Sequence, residues 1–119
     1  MIEQVFRERL LAQGDDRGVV SVRQTAQREV LWSSQKHPDG HRQAITALAW
    51  SPDGAYVASG SADTTIKIWD VATGALLQTY MGHAAEFRAL AWSPKACRIV
   101  SSASLESPHL WTPFSAVRR

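Results

Sequence analysis

Cysteine is almost missing from this sequence. Cys97 is the single one in 119 residues, which excludes an intrachain disulfide and any metal cage built from several thiolates. Such usage suits a reducing compartment, and a cytoplasmic location is expected. Long apolar runs are missing as well. The longest candidate, Ala44 to Trp50, falls far short of the roughly 18 residues of a membrane-spanning helix, so no membrane partner is expected. No secretory leader is visible, because Met1 to Gln13 carries Glu3, Arg7, Glu8 and Arg9 where a leader needs about 7 to 15 apolar residues in a row. Charge of one sign is not in excess. Thirteen Lys and Arg against eleven Asp and Glu leave a net +2, with the signs interspersed, so no basic stripe points to nucleic acid. Length excludes a catalytic domain joined to a regulatory one, since domains run to roughly 100 to 200 residues. With 45% apolar and 20% charged residues, the composition is that of an ordinary globular chain able to bury a core.

What the chain does have is an internal repeat. Gly40-His41 recurs as Gly82-His83, Ala49-Trp50-Ser51-Pro52 as Ala91-Trp92-Ser93-Pro94, and Trp69 as Trp111, each at an offset of 42. A weaker copy lies upstream at an offset of 46, where Leu10 to Gly14 aligns with Tyr56 to Gly60 and Val20-Ser21-Val22 with Ile66-Lys67-Ile68. The extra residues fall in the polar segment Ser33 to Asp39, where a loop lengthens without disturbing strands. A period of this size, with Gly-His near its start and Trp69-Asp70 near its end, resembles the WD-repeat family of β-propellers. The resemblance covers nearly the whole chain and implies an all-β fold of four-stranded antiparallel propeller blades.

The strand pattern agrees. Ile45 to Trp50 is apolar on both faces, as an inner strand between neighbouring blades must be. Ser51-Pro52-Asp53-Gly54 then turns the chain, with proline preset at its second position and glycine at its fourth. Tyr56 to Ser59, Thr65 to Trp69 and Leu76 to Tyr80 complete one blade, residues 40–81. Residues 1–39 are expected to be a degenerate blade holding only the last three strands from Leu10 onward, because Met1 to Arg9 is charged and lacks a good alternation. Residues 82–119 are expected to be a partial, degenerate blade that stops soon after its third strand, at Trp111. Pro108 aligns with Ile66, and proline inside a strand belongs at a sheet edge. A closed ring needs about four to eight blades of roughly 40 to 45 residues, so this is an incomplete propeller segment. It is a fragment of a larger propeller, a split gene product, or a unit that closes a ring from several copies.

His41, Ser59 and Asp63 invite comparison with a base, a nucleophile and an orienter. Ser59 lies mid-strand between apolar neighbours, however, where neither a cleft nor an oxyanion site is expected. No enzymatic activity and no cofactor is therefore expected. The family resemblance implies instead a buried relay in which Asp63 binds His41, His41 binds Ser59, and Ser59 binds the indole N–H of Trp69. The last copy keeps His83, Ser101 and Trp111 but has Leu105 at the Asp position, with Glu106 one residue on. The first copy has Arg17 and Arg23 where the middle one has Asp63 and Trp69. His37-Pro38-Asp39-Gly40-His41 imitates a metal clip, but the relay claims His41 and Pro-Asp-Gly is a turn former, so no metal is expected. Trp50, Trp69, Trp92 and Trp111 fall on repeat positions and read as core. Trp32 lies off the pattern and reads as a cover for the side of the first blade, Asp15-Asp16 as a solvated turn, and Cys97 as a small buried hydrophobe.

As function, the resemblance implies a rigid platform for other proteins, used through the loops before the innermost strand and between the second and third strands. Those loops offer Arg42, Gln43 and Ala62 in the middle blade, and Glu86 and Arg88 in the next. Two alternatives come with it. Copies of Ile45, Leu48 and Trp50, and of Leu90 and Trp92, would line the open faces of an interrupted ring, which implies self-association through those faces. The third reading is an accessory repeat region of a multidomain enzyme.

Overall fold

The structure is a computed structural model and describes residues 2–26, 29–35, 40–81, 87–92, 99–103 and 109–111. Among these residues three antiparallel sheets form and do not close into a ring. Blade 1 runs β1 (Ile2–Phe6), β2 (Leu10–Gly14), β3 (Val20–Gln24) and β4 (Val30–Ser33), paired in that order. Blade 2 repeats the order with β5 (Ile45–Trp50), β6 (Tyr56–Ser61), β7 (Ile66–Asp70) and β8 (Leu76–Tyr80). Blade 3 contributes β9 (Phe87–Trp92), β10 (Ile99–Ala103) and β11 (His109–Trp111). The inner strand β5 packs between β1 and β9, so blade 2 lies in the middle of the stack.

Blade 1 corrects the three-strand expectation, because it has four. β1 pairs with β2 from Ile2 opposite Gly14 to Phe6 opposite Leu10. The charges at Glu3, Arg7, Glu8 and Arg9 concealed this strand for two physical reasons. Only its two ends face inward: Ile2 packs into the core and Phe6 meets Trp50 at 5.2 Å between ring centres, while Glu3, Gln4 and Val5 between them are exposed. The hairpin turn is then closed by Arg9 N donating to Phe6 O at 3.0 Å, with Arg7 and Glu8 both left-handed at φ 51 and 60. A hairpin turn with two consecutive left-handed residues normally announces itself by Asn-Gly or Asp-Gly, and here it does not.

Two cores hold the stack together. Between blades 1 and 2, Ala12, Val20 and Val22 meet Ile45, Leu48, Val57 and Trp69. Between blades 2 and 3, Ala58, Ile66 and Ile68 meet Ile99, with Tyr56 stacked on Trp92 at 6.4 Å. Trp32 does more than cover its own blade. Its indole N–H donates to Val71 O at 2.7 Å and its ring lies 5.8 Å from Trp69, so it fastens the outer strand of blade 1 to blade 2.

At one end of the blades the β2–β3 turn, residues 15–19, docks on the segment entering β5. Ile45 N donates to Asp15 O at 2.9 Å, and the Asp15 carboxylate caps its own turn through Arg17 N and Val19 N, both at 2.9 Å. Gly18 permits the approach. It has φ +89, and a Cβ there would stand 2.7 Å from the carbonyl oxygens of both His41 and Gln43. Gly18→Ala is therefore expected to cost about 2 kcal/mol, combining left-handed strain with a backbone clash. A urea midpoint equal to that of the parent chain would show that the turn docks differently.

Candidate functional site: a buried relay beneath a loop end

The middle blade brings His41, Ser59, Asp63 and Trp69 into one hydrogen-bonded chain. Asp63 follows β6 in a tight turn, where its N–H donates to Ser61 Oγ at 3.0 Å. Its carboxylate accepts from Thr65 Oγ1 at 2.6 Å, Thr65 N at 2.9 Å and Arg42 N at 3.0 Å, and lies 3.1 Å from His41 Nδ1. The other ring nitrogen, His41 Nε2, is 2.7 Å from Ser59 Oγ. Trp69 Nε1 donates to the same Ser59 oxygen at 2.9 Å. One assignment of protons satisfies every group. A neutral His41 donates from Nδ1 to the Asp63 carboxylate, its bare Nε2 accepts the Ser59 hydroxyl, and Ser59 accepts from the indole.

Electrostatics favour that assignment. Burial pushes the His41 imidazole below its ordinary value, and the attraction of Asp63 only partly opposes this. For Asp63, burial by itself would raise the carboxyl. The Thr65 hydroxyl, the Arg42 and Thr65 amides and the His41 ring outweigh it and hold the group at about 2. A carboxylate so placed stays ionised and acts as the anchor of the chain. Ser59 is wholly buried and its oxygen is committed to two partners, so it offers no surface to a substrate.

Above the relay lies a loop end made by two blades. Arg42 and Gln43 are exposed there and Ala62 is half-buried. Backbone bonds pin all three: Arg42 N to Asp63, Ser61 Oγ to Gln43 O at 2.9 Å, and Ala62 N to Ala44 O at 2.9 Å. Asp16 and Arg17 of blade 1 are exposed on the docked turn beside them, a contribution that reading one repeat at a time missed. Thr65 was also missed, although its place two residues after an aspartate in a turn is a signal for such a bond. In blade 3, Ser101 is fully buried on β10. Trp111 and Arg88 sit in β11 and β9, and their side chains, with His83, Glu86, Leu105, Glu106, Cys97, His37 and Pro108, lie outside the described residues. Among the described residues no three His, Cys, Asp or Glu side chains are grouped to hold a metal, and no helix is long and apolar enough to cross a membrane. At the opposite end of blade 1, a cavity of about 450 Å³ lies between the β1–β2 and β3–β4 turns, where Arg7 stacks over Phe6 at 4.9 Å.

Comparison with known proteins gives one answer. The family described as "WD domain, G-beta repeat" matches residues 32–70 and 74–111, well over half of the chain. Nuclear distribution protein nudF of Aspergillus niger is 41% identical over 66 residues, which cover 53% of this chain and 15% of that protein. The chain thus spans a small part of this relative's length. Among solved structures, the computationally designed Ika4 protein matches with a TM-score of 0.77 and 37% identity, over 92% of this chain and 63% of that one. The Cps50 (Swd1) β-propeller domain of Myceliophteria thermophila matches with a TM-score of 0.84 over 97% of this chain and 36% of that one. At 21% identity, that second likeness concerns the fold.

Proposed function

We propose that this chain, which belongs to the WD40 family, is a protein-interaction scaffold that presents the loop end of its blades to other proteins. One observation supports the reading above the rest: the exposed side chains of Arg42 and Gln43 stand on backbone fastened to a buried relay. Surface groups on rigid backbone bind without the entropy loss of ordering a loop, which otherwise subtracts from affinity. Asp16 and Arg17 extend the patch across the blade boundary, and its mixed charges suit a protein surface better than a polyanion. A cytoplasmic location and the absence of catalysis are parts of the same reading. They are supported by the one-cysteine composition and by a serine that lies out of reach.

Photocrosslinking tests it. A photoreactive residue at position 42 should label discrete partner proteins in a cell extract, and the same residue at exposed Ala72, on the opposite end of blade 2, should not. The double variant Arg42→Ala, Gln43→Ala should weaken binding of a partner so found by about tenfold or more, as truncated interface anchors do. Equal labelling from both positions would overturn the assignment of the face.

A further inference from the structure

The two blade-to-blade interfaces repeat one device. Trp50 of blade 2 donates its indole N–H to Gln4 O of blade 1 at 3.0 Å, and Trp92 of blade 3 donates to Ala49 O of blade 2 at 3.1 Å. The acceptors hold the same place in the sheets, since Gln4 pairs with Ala12 and Ala49 with Ala58. The stack therefore has a direction, in which each blade lends an indole to the blade before it.

The series continues at one side and breaks at the other. The next acceptor place is Ala91, paired with Val100. Ala91 is exposed and Val100 is 42% exposed, whereas their counterparts Ala49 and Ala58 are 9% and 0% exposed beneath blade 3. On the outward face of blade 1 the donor place belongs to Val5, which pairs with Leu11 as Trp50 pairs with Val57, and Val5 is 53% exposed. Exposed Glu3 takes the place of Leu48 and is bonded to Gln13 at 2.7 Å. Arg23 takes the place of Trp69, and its Nε is shielded without a hydrogen-bond partner.

We propose that blades add to this stack in one direction. The outward face of blade 3 is a docking surface for a further blade of the same repeat that carries an inner-strand tryptophan, and blade 1 of a second copy cannot take that part. The occupant is fixed by continuity with the two interfaces already formed, which need an indole donor and apolar residues at the places of Leu48, Val57 and Trp69. Blade 1 has no indole at the donor place, and it would bury Glu3 and Arg23 against Ala91 and Val100, which offer neither of them an opposite charge. The inference is independent of what the loop end binds.

The test uses the full chain and the triple variant Glu3→Leu, Val5→Trp, Arg23→Trp, which installs on blade 1 the residues of blade 2. Light scattering after size-exclusion chromatography, over a concentration series, should show the parent chain forming no ring of defined mass. The variant should assemble into one discrete larger species with association strengthened about a hundredfold, as expected when buried unpaired charges are removed from an interface. Adding Ala91→Arg, a change at an exposed position, should abolish that assembly. If a thermal melt shows that the triple variant does not fold, Arg23→Trp alone replaces it, with a gain of about tenfold expected from relieving one of the two charges. A discrete ring from the parent chain that Ala91→Arg disrupts would overturn the proposal. So would folded variants that associate no better than the parent.

Discussion

Trp69→Ala should lower the stability of the chain by about 3–5 kcal/mol, the range for deleting a fully buried aromatic side chain. Trp69 has no exposed surface, its ring lies 5.8 Å from Trp32, and it lines the core between blades 1 and 2 beside Val57 and Val71. The loss would have two parts of different origin. A cavity would open between two blades whose backbones are tied by other bonds, so the gap could not fully collapse. Ser59 would also lose its indole donor at 2.9 Å, in a site that water does not reach. Trp69→Phe shifts the balance between the parts, because it keeps an aromatic ring in the core while removing the N–H and opening a smaller cavity, and it should cost about 2–3 kcal/mol. Urea midpoints of the two variants against the parent chain measure this. An alanine variant within a few tenths of a kcal/mol of the parent would remove Trp69 from the core.

How far the fold could be read in advance depended on which residues recur. The offset of 42 linking Trp50 to Trp92 and Trp69 to Trp111 located the inner strand, because a repeat states its own register, whereas the relay came only from what the resemblance to WD-repeat proteins implied. Strand β1 was not legible for the opposite reason. Its own residues match no copy of the repeat, its Arg7-Glu8 turn lacks the usual turn chemistry, and a five-residue strand whose middle three residues, Glu3, Gln4 and Val5, are all exposed resembles a solvated tail. Trp32 was legible as an aromatic off the pattern, but its bond to Val71 O spans 39 residues and exists only once two blades are stacked. The loop end was half legible. Arg42, Gln43 and Ala62 belong to one repeat and were found together, whereas Asp16 and Arg17 join them through Gly18 and the bond from Ile45 N to Asp15 O, which are properties of the interface between repeats.

The relay should also make the chain sensitive to acid, in two stages with assignable origins. His41 titrates in the fold below its ordinary 6.5 because it is buried. Under mildly acidic conditions the unfolded chain therefore binds a proton that the folded chain refuses, and stability falls as pH drops below about 6.5. Asp63 is held at about 2 against an ordinary 3.8. Its contribution is fully present above the unfolded value and is lost as pH falls from about 4 toward 2. Both stages run in the same direction, so no compensating rise is expected between them. Since Asp63 keeps contact with solvent, its share is about 1–2 kcal/mol after allowance for screening. Asp63→Ala should cost about 2–3 kcal/mol at neutral pH, because it leaves the Arg42 and Thr65 amides and His41 Nδ1 without their acceptor. The same variant should erase the second stage while keeping the first, for without the carboxylate the His41 pKa moves further down. Urea melts at steps between pH 7.5 and 2 read both stages. Stability of the parent chain that stays level or rises on acidification over this range would break the link between the buried imidazole and the fold. A second stage that survives in Asp63→Ala would assign it to another carboxylate, with Asp53, also held below its usual value by the Ala55 amide and the Ser51 hydroxyl, the first to examine.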